Sequence, residues 1–385
     1  MNIRNIAVIA AFFIVYGCLA GFIGWNGWIY LSYLTDWESP VVYSALIAFL
    51  AFAYIIGRVG QSTSFRPIAE PVKLAGSYWF ALLQYGILIF PIADLAALLL
   101  KWGGASEQIY ILTVGSIAAL LLAILLLMGS RNAWSPVIRH YKVSIAKPAA
   151  GRRKLTIAMA SDLHLGTVIG NRHLERLLDK IDEIKPDIIM LPGDILDDDI
   201  APFLNKGMPA VLGRLKAPLG VFAVTGNHEY IGGKVPPFVE ELNKIGIRVL
   251  MDETAVVDGS FAVIGRKDKA AGKNNRKSIA ELVAPLDSST PLILLDHQPS
   301  DLISASENGI DLSLSGHTHR GQMAPNHLVT RRMFALDWGY KQIGGLHAIV
   351  SSGFGFWGPP LRIGSRSEVL KIEVEFQADG AIPQR

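Results

Sequence analysis

The sequence predicts two parts: an α-helical membrane domain of four transmembrane helices, then an α/β domain built from layered sheets. Three observations point there. Four long runs near the N-terminus carry no charged side chain: Asn5–Thr35, Pro40–Gly57, Leu74–Ala93 and Gln108–Ser130. From Leu155 onward, short apolar runs alternate with helical patterns, which reads as α/β layers, and the surplus strands suggest two sheets packed face to face. Several of those apolar runs end in Asp, His or Asn, where active sites of α/β sheets sit, at the carboxyl ends of strands.

Composition supports the membrane half. Of 385 residues, 51% are hydrophobic and 18% charged, and mean hydropathy is +0.34, a balance that departs from soluble domains. A net charge of +3 is too small to imply a nucleic-acid partner. Cys18 is the single cysteine, which excludes an internal disulfide framework and any Cys-based metal site.

A bilayer crossing needs about 20 apolar residues, so four spans are expected at Ile6–Trp25, Val41–Gly60, Tyr78–Leu100 and Tyr110–Met128. Trp25, Trp28, Tyr30, Tyr33 and Trp37 follow the first span and read as an interfacial aromatic belt, or as packing in a long loop. The first connection holds Asp36 and Glu38 but no Lys or Arg, and the third has only Lys101 beside Glu107. The second has Arg58, Arg66 and Lys73, and the chain after the fourth span is rich in Lys and Arg. Positive residues favour the cytoplasmic side, so both termini and the whole second half are expected in the cytoplasm. A cleaved leader is the alternative at the N-terminus, although Val15-Tyr16-Gly17-Cys18 matches a lipoprotein cleavage site poorly. Asp94 lies within the third span; it reads as a hydrated residue near the outer interface, with a functional membrane acid as the alternative.

The expected domains are 1–130 (membrane), 131–153 (linker), 154–376 (α/β) and a fraying tail, 377–385. Within the α/β part, strands are expected at Leu155–Ala160, Ile188–Leu191, Gly220–Thr225, Leu292–Leu295, Leu312–Leu314, His347–Ser351 and Val369–Val374. Arg248–Leu250, Ala255–Val257 and Phe261–Ile264 resemble a meander. Helices are expected at Arg172–Ile184, Val211–Leu215 and Phe238–Ile245.

Five pieces carry chemistry: Asp162-Leu163-His164, Gly193-Asp194, Gly226-Asn227-His228-Glu229, the lone His297, and Gly316-His317-Thr318-His319. Asp162, His164, Asp194, Asn227, His297, His317 and His319 offer oxygen and imidazole donors only. They exceed the needs of one ion and suit two divalent transition-metal ions sharing a carboxylate, with Mn, Fe, Zn, Ni and Co all compatible. Such a pair clamps the attacking and leaving oxygens of an in-line displacement at phosphorus and turns a bridging water into hydroxide near neutral pH. His228 is then free to act as a proton donor. Any one piece occurs by chance; their order and strand-end placement do not.

The set resembles the calcineurin-like metallophosphoesterase family over about residues 154–376. The resemblance implies a four-layer αββα sandwich and a dinuclear site. Asp162, His164 and His319 would hold the first ion, and Asn227, His297 and His317 the second. Asp194 would bridge, with His228 as the catalytic histidine. Asp197 matches an acid that orients the site, and Glu229 either orients His228 or shapes its turn. Gly316–Gln322 and Gly353–Gly364 are similar to the family's membrane-attached branch, which includes UDP-diacylglucosamine pyrophosphatase-like and cell-envelope phosphoesterases. Arg320 departs from the Gly usual there; contact with a substrate phosphate and exposure to solvent are both open.

Three stretches stay open. The basic run Arg266, Lys267, Lys269, Lys273, Arg276, Lys277 reads as a solvated loop, or as a surface for anionic lipid or a polyanion. Phe354, Phe356 and Trp357 line a pocket or pack in the core. Met323–Tyr340 is a lid or a surface insertion. The expected function is a membrane-embedded phosphoesterase, its substrate a phosphate compound linked to a lipid and its partners membrane lipids. The alternatives are a phosphodiesterase of soluble substrates such as nucleotides with a membrane anchor, and a transporter or sensor with an accessory phosphoesterase domain.

Overall fold

A computed structural model describes residues 2–35, 37–61 and 63–377. Asp36 and the tail beyond Gln377 lie outside the described residues. The chain divides into two compact units, 1–130 with 358–361, and 131–357 with 362–385.

The first unit is helical: α1 (Ile3–Thr35), α2 (Pro40–Gly60), α3 (Arg66–Trp102) and α4 (Glu107–Trp134). All four are long and apolar enough to cross a membrane. Three exceed their expected spans at both ends, because the sequence estimate stopped at the apolar core while helix hydrogen bonding continues into the flanks. Trp25, Trp28, Tyr30 and Tyr33 are therefore part of α1 and not of a loop. Small residues bring α2 and α3 together: a Cβ on Gly57 would strike the Lys73 backbone, and one on Gly76 the Tyr54 backbone. Close approach through small residues is how membrane helices gain packing without a hydrophobic driving force. Trp79 Nε1 donates to the Tyr16 hydroxyl at 3.0 Å, and that hydroxyl donates to the Ala51 carbonyl at 2.5 Å, joining α1, α2 and α3.

The second unit holds two six-stranded sheets. Its strands are β1 (Val137–Pro148), β2 (Lys154–Met159), β3 (Ile188–Pro192), β4 (Val221–Val224), β5 (Ile247–Val249), β6 (Glu253–Val257), β7 (Phe261–Gly265), β8 (Leu292–Leu295), β9 (Leu312–Ser315), β10 (Gly339–Ile343), β11 (Leu346–Val350) and β12 (Glu368–Gln377). Its helices are α5 (Asn171–Ile184), α6 (Ile200–Asn205), α7 (Met208–Leu212), α8 (Asn227–Ile231), α9 (Val235–Lys244), α10 (Ile279–Val283), α11 (Leu302–Glu307) and α12 (His327–Met333). One sheet runs β1-β12-β2-β3-β4-β5 and the other β10-β11-β9-β8-β7-β6.

Strand alternation explains the four layers, because successive side chains point to opposite faces. Ile157, Met159, Ile188 and Met190 meet Phe261, Val263, Ile293 and Leu295 between the sheets. The intervening Ala158, Ile189 and Leu191 face outward under α5, α7 and α9. Ala262, Ile264, Leu292 and Leu294 do the same on the second sheet, under α10 and α11. Both faces of each central strand are buried, which is why these strands read as continuous apolar runs.

Several expectations change. The stretch 131–153, read as a linker, contains β1, which pairs in parallel with β12 from Val137↔Glu368 onward. Its alternation of Lys, Tyr and Val suits an edge strand, and only a partner distant in sequence reveals it. The three strands read as a meander split instead: β5 joins β4 in the first sheet, while β6 and β7 form a hairpin in the second. The helix expected at Val211–Leu215 begins earlier, at Met208, and ends at Leu212. Met323–Tyr340 contains α12 and the start of β10.

Candidate metal centre

The candidate donors stand at the carboxyl ends of five strands. Asp162 and His164 follow β2, Asp194 follows β3, Asn227 follows β4, His297 follows β8, and His317 and His319 follow β9. β2, β3 and β4 are mutually parallel, as are β8 and β9. The two sheets thus aim their strand ends at one place. The backbone there is unusual. Asp162, His164, Asp194, His317 and His319, five of the seven candidates, have positive φ, a conformation that side chains other than Gly rarely adopt and that clusters at functional sites. Glycines give the loops room to converge. A Cβ on Gly226 would collide with Asp194 Oδ1, and one on Gly316 with Asp162 Oδ2.

The side chains form two trios. Asp162, His164 and His319 make one, and Asp194, His297 and His317 the other; within each, one ligand atom per residue lies within 4.8 Å of the rest. His164 Nε2 is 3.1 Å from His319 Nε2, and His319 Nε2 is 3.5 Å from Asp162 Oδ1. In the second trio His297 Nε2 is 3.1 Å from Asp194 Oδ2. Asn227 Oδ1 stands 3.2 Å from His297 Nε2 and 2.9 Å from His317 Nδ1. Asp194 connects the trios, its Oδ2 lying 3.9 Å from His164 Nε2. Donor atoms about 2.0–2.2 Å from a shared ion are about 3–3.5 Å from one another, so these spacings suit metal ions.

Two further observations support the fit. Asp162 Oδ2 and Ser161 Oγ are buried without a hydrogen-bond partner, as is His164 Nδ1; a buried carboxylate oxygen left so is costly unless a cation meets it. Protonation follows the same logic. Burial pushes His164 down to about 3 and His319 well below its usual range, leaving the neutral imidazole that ligates metals. Burial opposes charge on His297 too, yet the Asp194 carboxylate raises it well above normal. Burial also works against the Asp194 carboxylate, but His297, His164 and His228 hold it below the ordinary carboxylate range. A proton there supplies the positive charge that a shared cation would supply.

A second layer fixes the donors. His297 Nδ1 donates to the Pro192 carbonyl at 2.9 Å, which points Nε2 inward. Asp162 Oδ1 accepts from the His317 amide at 2.8 Å and Asp194 Oδ1 from the His228 amide at 3.0 Å. Glu229 shapes the turn: its carboxylate accepts from Gly226 N at 2.7 Å and Leu196 N at 2.9 Å, tying two donor loops together. It does not bond the His228 ring. That partner is Asp198, whose Oδ1 is 2.7 Å from His228 Nδ1.

Asp198 was not legible in sequence, because Asp197-Asp198-Asp199 offers three adjacent acids and the motif spacing favours Asp197. Arg362 was missed as well. It is fully buried and reaches the Gly353 and Gly355 carbonyls and His319 Nδ1; burial lowers its pKa to about 10. Arg320 is half-buried, and its guanidinium stacks 3.9 Å over the Trp338 ring. Phe354 and Phe356 are buried and pack in the core. Trp357 is 56% exposed, its ring 6.1 Å from that of His228. Only part of the basic run is a solvated loop: Lys269, Lys273 and Lys277 are exposed. The side chains of Arg266 and Arg276 are instead largely shielded and pair with Asp296 at 2.8 and 2.6 Å and with Asp301 at 2.9 and 3.1 Å.

Fold and donors together define an α/β protein with a metal-binding cluster at converging strand ends. The calcineurin-like phosphoesterase family matches residues 155–321. An "uncharacterized metallophosphoesterase" of Aquifex aeolicus is 34% identical over 244 residues, 62% of this chain and 91% of its own. One from Helicobacter pylori is 34% identical over 226 residues, 58% of this chain and 60% of its own. A "transmembrane protein with metallophosphoesterase domain" from Danio rerio is 29% identical over 270 residues, 66% of this chain and 61% of its own. The chain belongs to the calcineurin-like metallophosphoesterase family. It spans about three fifths of the length of the Helicobacter and Danio relatives.

Proposed function

We propose that the protein is a membrane-embedded hydrolase of phosphoester or phosphoanhydride bonds whose substrate phosphate is carried by a lipid. The observation that carries this reading is the meeting of two donor trios at Asp194. Asp162, His164 and His319 are assigned to one divalent ion, Asn227, His297 and His317 to the other, and Asp194 to both. When bound, two such ions supply a nucleophile at neutral pH and neutralise charge on the reacting phosphoryl group.

His228 is assigned the leaving-group proton. Asp198 takes up its Nδ1–H, so the ring presents Nε2 to the site, 3.9 Å from Asp194 Oδ2. Burial opposes the charged ring, but the Asp198 hydrogen bond and the Asp194 and Asp198 charges raise it to about 9. In the metal-free chain His228 therefore holds its proton at neutral pH, as a general acid must; cations beside Asp194 would oppose that charge and lower the pKa.

A lipid-linked substrate is supported by apolar groups flanking the donors. Phe334, next to α12, lies 5.9 Å ring to ring from His317. Leu328, Val329 and Met333 on α12 are more than half exposed, as is Trp357. The membrane part is assigned to residues 1–130 and the hydrolase to 131–376, which adds β1 to the domain expected from sequence. Arg58 near the end of α2, Arg66 and Lys73 early in α3, and the basic residues after α4 support a cytoplasmic hydrolase; a C-terminal reporter active only outside the cytoplasm would refute that orientation.

The test compares the purified, metal-loaded full chain on a lipid-linked diphosphate and on a nucleotide phosphodiester. The expected kcat/KM favours the lipid at least tenfold, and Met333→Asp lowers that preference without changing the nucleotide rate. Equal rates on both substrates would favour the soluble-substrate reading.

A further inference from the structure

The membrane unit contains a cleft that the phosphoesterase reading does not use. Its volume is about 600 Å³, within the range of about 300–1,000 Å³ typical of small-molecule sites. It lies in the half of the bundle nearest the α1–α2 and α3–α4 connections, between α1, α3 and α4. Two carboxylates line it, Asp94 from α3 and Glu107 from the first turn of α4. Trp25, Tyr30, Tyr33 and Tyr110 line it too, and the rest of the wall is largely aliphatic. Asn26 lies beside Asp94, and Tyr33 beside Glu107. Among the described residues that line the cleft there is no Lys, Arg or His.

Ionisable side chains in membrane helices face a cavity or a partner because lipid does not solvate them. Here two acids share one cavity whose walls offer no countercharge. An anionic occupant would meet two like charges, and a purely apolar one would strip water from both exposed acids without answering their charge. A bare metal ion would leave the aromatic and aliphatic walls unused. Aromatic faces attract cations, with quaternary ammonium groups the best-known guests, and the aliphatic wall suits an alkyl chain. We propose that the cleft binds an amphiphile with a cationic amine head. The ammonium sits near Asp94 and Glu107 against the aromatic rings, and the chain runs along the aliphatic wall.

The test uses the full chain in a neutral maltoside detergent with two photoactivatable dodecyl probes, identical but for a trimethylammonium or a sulfate head. Adducts are mapped by mass spectrometry. The ammonium probe is expected to label segments 23–33 and 90–114, which contribute to the cleft, at least tenfold more than the sulfate probe. Asp94→Asn combined with Glu107→Gln is expected to remove that labelling while leaving hydrolysis of bis-nitrophenyl phosphate intact, which reports a folded chain. In the unmutated protein, unlabelled dodecyltrimethylammonium should compete and dodecyl sulfate should not. Equal labelling by both probes, competition by the sulfate, or full labelling of the hydrolytically active double variant overturns the proposal.

Discussion

At the scale of single residues, His228 and Asp198 make the sharpest expectation. If His228 carries the leaving-group proton, His228→Gln lowers kcat by about 10²–10⁴ while bound metal stays at the level of the unmutated chain. The pH profile separates this from a structural role. The acid form is the protonated ring, which the Asp198 hydrogen bond and charge stabilise, so kcat falls as pH rises past the pKa of His228 in the metal-loaded chain. Asp198→Asn removes the charge that raises the pKa and brings the fall to lower pH. An unchanged profile in that variant would assign Asp198 to structure alone. The seven donors and His228 were legible from sequence because each motif is contiguous and ends a strand. Asp198 and Arg362 were not. Asp198 sits among identical neighbours, and Arg362 reaches the site through carbonyls of Gly353 and Gly355, which no side-chain pattern announces.

At the scale of elements, the strand ends act as platforms, and the one after β8 is anchored by charge. Asp296 precedes His297 and is held by Arg266, next after β7, and by Arg276. Removing one partner of a buried ion pair costs about 3–5 kcal/mol, because the other charge remains buried and unanswered. Arg276→Met leaves Asp296 paired with Arg266 alone, so it is expected to lower thermal stability by less, about 1–3 kcal/mol, and to weaken metal binding by about 10–100-fold, as loss of an outer-shell contact does. Calorimetric unfolding and metal titration check both; unchanged metal affinity would detach the network from the centre. The same residues looked like a solvated basic loop in sequence, because Asp296 and Asp301 lie 20 or more residues away. Strand β1 was hidden for a related reason: its partner β12 lies at the far end of the domain. The central strands were legible because burial on both faces makes them uniformly apolar.

At the scale of the whole molecule, four apolar helices and a metallophosphoesterase unit share one chain. The central claim is that seven donors from five strands seat two ions and that Asp194 serves both. The most direct measurement is metal content by plasma mass spectrometry on the purified full chain, paired with hydrolysis of bis-nitrophenyl phosphate before and after chelation. Two divalent ions per chain are expected. Activity should disappear with the chelator and return with added metal, and Asp194→Ala should lose both metal and activity. A chain that hydrolyses the ester equally well with Asp194 replaced, or that never holds more than one ion, would contradict the account.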